Sequence, residues 1–537
     1  MNRLALSLLA LCSLGSPFAK AHSAETRVTP VIQHSPVILY SNDVLGELEP
    51  CGCRSNPLGG MSRKANLLKK YPALQGEKLQ LDAGDLLFST GSVPETLRDQ
   101  TLLQAEYLVD ALNETGLDAA VPGEKDFALG VTSFKKLKSK AKFQYLAANL
   151  SLRGKPFLRS SLVVSRKSRQ GKSIRVGVFG LVGEGLPFPK EFKIQNAIAA
   201  AKKITAELRG NSKVDLVVAL THQGLEKDRE LAKQVPGIDL IIGGHDQSFL
   251  QSPLKIGKTW IYQASFRNQH LGIIPLALPF ESQGHELVEL SAEWASPESA
   301  PSSIDLKITQ AKAKIAELNL LEEAKFSALV EKSAQSGANQ FQTFPRCAEC
   351  HIKQFDFWRK TPHANAFQPL FDQKQHLNKE CLSCHTVGLG ETGGWSQAAH
   401  LAERKKSVTT ESSDPDSSNG FEPVPAEDLS AYLKTLHKGD TVDSSIKLDP
   451  RAPATSIKDS LGRLQRSWTP VQCENCHGAG QDHPFSAGPS LFKKAESSTC
   501  LKCHTTERAP GWYTASKQPD LEKIALKLKS MSCPSGD

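Results

Sequence analysis

The chain has 537 residues, 39 % of them hydrophobic, and a formal charge of +8. That length suggests two or more domains, and the apolar content suffices for ordinary globular cores. The charge excess is mild and holds no basic run long enough for a nucleic-acid arm. No segment after the N-terminus approaches the roughly 18 apolar residues of a membrane span.

Arg3, the apolar stretch Leu4 to Leu14 and the small-x-small sequence Ala19-Lys20-Ala21 predict a cleaved secretory signal over residues 1–21 and a periplasmic destination. The alternative is lipid attachment at Cys12, against which stands the large Leu11 where such sites prefer a small residue. Residues 35–295 read as one α/β domain. Pro36–Tyr40, Lys78–Leu81, Ile174–Leu181, Val214–Leu220 and Ile238–Ile242 are short apolar runs expected as buried strands. Helical patterns lie between them, for example around Leu102–Leu112 and Ala197–Leu208, which predicts a buried sheet covered by helices. Ser296–Ser303 is linker-like, and Ile304–Ser333 keeps helical spacing through Leu318, Leu321 and Ala324. Residues 296–340 are therefore expected to be a linker and a spacer or docking helix, with a last domain over 341–537. In that domain periodicity weakens from Phe344. Lys405–Pro425 has the composition of a surface loop, and Leu521–Leu528 suggests a closing helix.

Eight of the twelve cysteines form Cys347-Ala-Glu-Cys350-His351, Cys381-Leu-Ser-Cys384-His385, Cys473-Glu-Asn-Cys476-His477 and Cys500-Leu-Lys-Cys503-His504. Two thiols three positions apart on one turn reach both vinyl groups of a single porphyrin, and the next histidine points at the iron. Structural zinc and disulfides are the alternatives. Neither requires a histidine straight after every pair, and all four pairs here carry one. Cys12, the Cys51-Gly-Cys53 pair and Cys533 lie outside these motifs. Five histidines of the segment remain as sixth-ligand candidates: His363, His376, His400, His437 and His483.

Cys347 to Phe367, Glu380 to Trp395 and Gln472 to His483 resemble the tetrahaem cytochromes c of the c five-five-four type, in order and in spacing. The resemblance implies four covalently bound haem c groups and a mainly α, haem-packed domain. His351, His385, His477 and His504 would be proximal ligands, and His363 and His483 distal ones. It also implies an open iron above His385, although the insertion after His400 departs from the family pattern. Electron transfer with a redox partner protein, another cytochrome or a quinone-linked complex, is the expected function.

The first domain is marked by Ser41-Asn42-Asp43, Gly59-Gly60 with Arg63, Asp82-Ala-Gly84-Asp85, Gly123 to Gly130, Leu220-Thr-His222-Gln-Gly224 and Ile241 to Gln247. These resemble the exported 5′-nucleotidase branch of the calcineurin-like metallophosphoesterases, whose fold is an α/β sandwich. The family chemistry uses two metals to activate a water. The resemblance makes Asp85 the bridging ligand and gives Glu124, His222 and His245 to one half of the site, for one divalent Mn, Fe or Zn ion. The other half keeps Asp43 but has Leu45 and Gln247 where the family has histidines, and Lys125 replaces the histidine that assists the leaving group. Candidate catalytic residues are Cys51, Cys53 and Lys125. The cysteine pair is read as a disulfide, with a partner such as Cys533 or as a strained local pair, or as a thiol that ligates metal or acts as a redox nucleophile. Three functions follow: an electron-transfer protein with a degenerate phosphoesterase-like module, an active metal-dependent hydrolase of phosphoesters or sulfur esters, or a cytochrome docked on an inert scaffold.

Overall fold

The computed structural model describes residues 36–50, 57–333, 341–395, 464–480 and 495–534, apart from short stretches within these spans, and strands at Glu422–Pro425 and Ala454–Lys458. Residues 1–35, Cys51, Cys53, His400, His437, His483 and most of the loop expected at 405–425 lie outside the described residues.

Strands of two to ten residues build two six-stranded sheets. In the first, β1 (Val37–Ser41) and β2 (Lys78–Asp82) run parallel, as do the two-residue β3 (Ala119–Ala120) and β4 (Gln144–Tyr145) beside them. In the second, β5 (Ser161–Lys167) pairs antiparallel with β6 (Ser173–Val182). β6 then runs parallel to β7 (Leu216–His222), β7 to β8 (Leu240–Gly244), and β8 to the strand that follows β9 (Leu254–Ile256), namely β10 (Thr259–Tyr262). β9 closes that sheet antiparallel to β10, and β11 (His270–Pro275) with β12 (Glu286–Glu289) closes the first sheet antiparallel to β1. β7 and β8 are buried along their whole length, which is why they read as unbroken apolar runs rather than alternating ones. The largest core cluster lies between the sheets and joins Ile38, Leu79 and Leu81 to Val176, Val218 and Ile242. This is the α/β sandwich expected of the first domain.

Helices α1 (Met61–Lys70), α2 (Arg98–Thr115), α3 (Gly130–Lys140), α4 (Ala197–Gly210) and α5 (Leu225–Gln234) cover the sheets. α5 starts at Gly224, whose φ of 87° only glycine adopts freely. Asp228 in its first turn is fully buried and accepts hydrogen bonds from Thr221 Oγ1 (2.7 Å) and Gln223 Nε2 (2.9 Å). It thereby fixes the loop after β7.

Helix α6 (Ser303–Ser333) is more than a spacer. Its first turns bury Ile304, Ile308 and Ala311 in the core of the first domain. At Asn319 it enters an amide cluster that joins the two halves of the chain. Gln100 of α2 donates from Nε2 to Asn378 Oδ1 (2.5 Å), and its Oε1 accepts from Asn319 Nδ2 (2.8 Å) and the Lys379 amide (3.2 Å). Asn319 Nδ2 also reaches the Leu377 carbonyl at 2.7 Å. Asn378 is the N-cap of α9 (Lys379–His385), the helix that carries the second Cys-x-x-Cys-His motif. Glu49 adds an ion pair with Lys312 (2.5 Å) and a hydrogen bond from Gln375 (2.9 Å).

The last domain is built of short helices: α7 (Thr343–Ala348), α8 (Ile352–Trp358), α9, α10 (Cys473–His477) and α11 (Leu521–Met531), the last being the expected closing helix. Two small aromatic clusters serve as its core, Phe344 with Trp358 and Ala364, and Phe367 with Leu382, Trp395 and Trp468.

Burial pushes the Asp228 carboxyl up to about 7. The folded state therefore holds a proton that the unfolded chain releases near its ordinary value of 3.8, and the stability from this group is lost as pH rises from about 4 through 7. Its contribution changes by at most about 1.4 kcal/mol per pH unit. Asp228→Asn is expected to flatten this part of the stability curve, measured by denaturant unfolding between pH 5 and pH 8; an unchanged slope refutes the assignment. In a second test, Gln100→Leu strands Asn319 and Asn378 without their partner, and earlier proteolytic cutting between the halves is the expected result.

Candidate functional site

Five of the six expected metal-site residues converge where the parallel strands of both sheets end, the usual ligand position in open α/β sheets. Asp43 follows β1, Asp85 follows β2, Glu124 follows β3, His222 ends β7 and His245 follows β8. Glu124, His222 and His245 offer ligand atoms within 4.8 Å of one another, and so do Asp43, Asp85 and His222. Gln247 lies two residues beyond His245 on the same loop. Asp43, Leu45, Asp85, His245 and Gln247 all have positive φ, between 50° and 93°, a conformation that side chains other than glycine rarely take. Such outliers gathered at one place are typical of functional loops.

Each side chain is aimed by a local contact. His222 donates from Nδ1 to the Ala83 carbonyl at 2.7 Å, which turns Nε2 toward Glu124 (3.2 Å) and Asp85 (3.5 Å). Gly84 makes this possible, because a Cβ there would stand 2.7 Å from His222 Nδ1. His245 Nδ1 lies 3.4 Å from the other Glu124 oxygen. Asp43 Oδ2 accepts from Asn42 Nδ2 (2.8 Å) and the His245 amide (3.1 Å), while the buried Oδ1 has no hydrogen-bond partner. Lys125 reaches Asp85 Oδ2 at 2.6 Å.

Charge dominates here because Asp43 and Asp85 are fully buried. Burial pushes the Glu124 carboxyl up, but hydrogen bonds from His222 and His245 outweigh it and hold it far below the usual range. Burial likewise opposes the ionised Asp85, and His222 and Lys125 win and lower it. Asp43 is raised, since burial exceeds the help of His222. A pocket that gathers three carboxylates and two imidazoles has the donor set of a divalent transition metal, and these residues fit one.

The second site is the set of Cys-x-x-Cys-His motifs, each folded as one helical turn. α9 and α10 contain the second and third motifs, and in the first and fourth the His351 and His504 amides bond to the Cys347 and Cys500 carbonyls, both at 2.9 Å. The cysteine side chains of each motif therefore lie one turn apart, as the porphyrin linkage requires. The motifs are also interlocked. Helix α10 of the third motif packs against α7, which carries Cys347 of the first, and against the helical turn that ends in Cys500 of the fourth; Arg508, just past the fourth motif, pairs at 2.9 Å with Glu380, just before the second. His385 Nδ1 lies 2.5 Å from the Ala366 carbonyl, a contact that fixes which ring nitrogen is free for iron. The His504 ring stacks on Trp512 at 4.3 Å, and on another side the His363 ring stands 6.1 Å away. Cys533 is exposed and near the third motif.

Residues inside the third motif hold the domain together, a role that its pattern does not announce. Glu474 is buried and accepts from the backbone amides of Gln342 (2.9 Å), Thr343 (2.8 Å) and Gly480 (2.6 Å). Asn475 Nδ2 reaches the Thr386 carbonyl at 2.8 Å, just past the second motif.

Residues 346–412 match the family model of cytochrome c554 and c-prime, a span that contains the first two motifs. The first domain is similar to curated nucleotidases. It is 28 % identical over 230 residues to protein 5NUC of Lutzomyia longipalpis, covering 40 % of this chain and 39 % of that one. With the 5′-nucleotidase of Homo sapiens it shares 27 % over 226 residues, covering 40 % and 38 %. The chain thus spans about two fifths of the length of these relatives. Among solved structures, the sulfate thiohydrolase SoxB of Thermus thermophilus in complex with glycerol superposes with a TM-score of 0.44 at 19 % identity, covering 52 % of this chain and 61 % of that one. A 5′-nucleotidase precursor, also of Thermus thermophilus, gives 0.43 at 22 %, covering 52 % and 59 %. Fold and comparisons together define a metallophosphoesterase-like sandwich followed by a mainly helical domain. In this chain a 5′-nucleotidase-like domain is fused to a cytochrome c-like domain, whose family implies haem c.

Glu474→Ala would strand three buried amides at about 1–3 kcal/mol each. Thermal unfolding followed at the haem absorbance should rank wild type above Glu474→Gln and Glu474→Gln above Glu474→Ala; equal midpoints would show that Glu474 carries no load.

Proposed function

We propose that the chain is a periplasmic tetrahaem c-type cytochrome that transfers electrons, and that its phosphoesterase-like domain serves as a binding or redox module. The observation that carries this reading is that all four Cys-x-x-Cys-His motifs fold as helical turns and that the third lies against both the first and the fourth. Cys347, Cys350, Cys381, Cys384, Cys473, Cys476, Cys500 and Cys503 would attach the four porphyrins, with His351, His385, His477 and His504 as proximal ligands. Bound haem supplies one-electron chemistry, and close packing of the motifs suits passage of electrons along the domain. His363 would serve as a distal ligand on the family resemblance, and its ring stands 6.1 Å from that of His504. His483 is proposed as a second distal ligand on the family resemblance alone. The partner is a redox protein, another cytochrome or a quinone-linked complex. Among the described residues no helix is long and apolar enough to cross a membrane.

The retained cluster of Asp85, Glu124, His222 and His245 favours a second reading, a metal-dependent hydrolase of phosphoesters or sulfur esters coupled to the haems. Leu45, Lys125 and Gln247, in place of the family's histidines, weigh against it.

Mass spectrometry of protein made in a cytochrome-maturing host should show four added haem masses, and redox-titrated optical spectra should show reversible reduction. A bare polypeptide mass defeats the cytochrome reading. Phosphatase turnover of the holoprotein is expected to be no greater than that of Glu124→Ala; clear turnover that this change abolishes would establish the second reading instead.

A further inference from the structure

Lys125 stands where a charge is missing. Three carboxylates, Asp43, Asp85 and Glu124, meet in a pocket where the first two are fully buried and Glu124 is 7 % exposed. Against their three negative charges stands one ammonium, that of Lys125. The balance is two negative charges, equal to the charge of one divalent cation. A second divalent ion would leave two positive charges in excess inside a buried site, which costs several kcal/mol.

Geometry places the ammonium on a particular side. The two oxygens of Asp85 point to different partners: Oδ1 faces His222 Nε2 at 3.5 Å, within the half formed with Glu124 and His245, and Oδ2 faces Lys125 Nζ at 2.6 Å. The Lys125 backbone amide also donates to Asp85 Oδ1 at 3.0 Å, so both ends of the lysine are tied to this carboxylate. Asp85 therefore still bridges two positive positions, and one of them is an ammonium. Lys125 also feels the charge of Asp43, the carboxylate retained by the half of the site whose histidines are Leu45 and Gln247 in this chain. Leu45 there is apolar and 2 % exposed, and Asp43 keeps a buried oxygen with no hydrogen-bond partner. Gly123, next to Glu124, leaves the space: a Cβ there would come within 2.0 Å of Asp85 Oδ1.

We propose that Lys125 replaces one metal of the pair, so that the centre binds a single divalent cation through Glu124, His222, His245 and Asp85. This deepens the reading of the first domain as a binding module and rests on that reading. A single cation beside a fixed ammonium cannot supply the two-metal clamp on an attacking and a leaving oxygen. It still presents two adjacent positive centres to a small anion.

The test is a Mn²⁺ titration of the full-length, chelator-treated holoprotein, followed by the EPR signal of free Mn²⁺; haem iron stays in its porphyrin and does not count. Wild type should bind one ion per chain. Leu45→His with Gln247→His, which restores the lost donors but keeps Lys125, should still bind one. Adding Lys125→Asn to that pair should raise the count to two. Because Leu45 is buried and these variants test the packing, Lys125→Gln alone gives an independent readout: removing the ammonium should tighten Mn²⁺ binding tenfold or more. Two ions in wild type, two in the variant that keeps Lys125, or unchanged affinity in Lys125→Gln would each overturn the proposal while leaving the domain a metal binder. No binding at all, with haem spectra intact, would defeat both the proposal and the metal-module reading without touching the cytochrome assignment.

Discussion

A buried carboxylate must be answered by a positive charge or a proton, and this rule shapes the centre of the first domain. Parallel strands from two sheets deliver Asp43, Asp85 and Glu124 to one place. Left unmatched, such charges would destabilise the fold far beyond any net stability a domain possesses. Lys125 answers Asp85 with an ammonium at 2.6 Å, and the His222 imidazole lies within 3.5 Å of both Asp85 and Glu124. The loops that carry these residues adopt left-handed backbone at Asp43, Asp85 and His245, which the packing of the strand ends enforces. Site and sandwich are thus one object, because the strands point the loops and the loop charges demand one another.

The cytochrome-like half is stabilised in a different way. Among the described residues its apolar clusters are small, and polar side chains that accept backbone amides add to its cohesion. Glu474 and Gln472 bind the start of α7, and Asn475 binds the chain after α9. Such contacts are directional, so they fix the orientation of short helices that a few aromatic rings would leave loose. The amide cluster of Gln100, Asn319 and Asn378 extends the same principle across the boundary between the halves.

Much of this could be read from the residues alone. Strands β6, β7 and β8 are fully or largely buried, and an apolar run is what such a strand must be. The metal-site positions were legible through short motifs, and the structure brings Asp43, Asp85, Glu124, His222 and His245 together as expected. β3, β4, β9, β10, β11 and β12 were missed along with β5: β3, β4 and β9 are only two or three residues long, β5 and β12 mix polar residues, and β10 and β11 are apolar runs too short or too broken by Gly and Pro to stand out. The domain boundary also read differently. The first turns of α6 belong to the core of the first domain because Ile304, Ile308 and Ala311 pack there, and no composition rule shows which surface an amphipathic helix covers. Gln100, Asn319 and Asn378 are far apart in the chain and ordinary in type, so only the fold reveals them as a cluster. Glu474 and Asn475 were hidden for the opposite reason, lying inside a motif whose cysteines and histidine claim all the attention.

The cap of α9 has one further meaning. Its Asn378 is steadied by Gln100, from a helix 278 residues earlier in the chain. Synthesis runs from the N-terminus, and domains generally fold as units in that order. The nucleotidase-like sandwich precedes the cytochrome-like half in chain order, and its Gln100 supplies the partner that the Asn378 cap needs. The first domain in this way sets the start of the helix that carries the second Cys-x-x-Cys-His motif, so a change on one side of the boundary reaches the other.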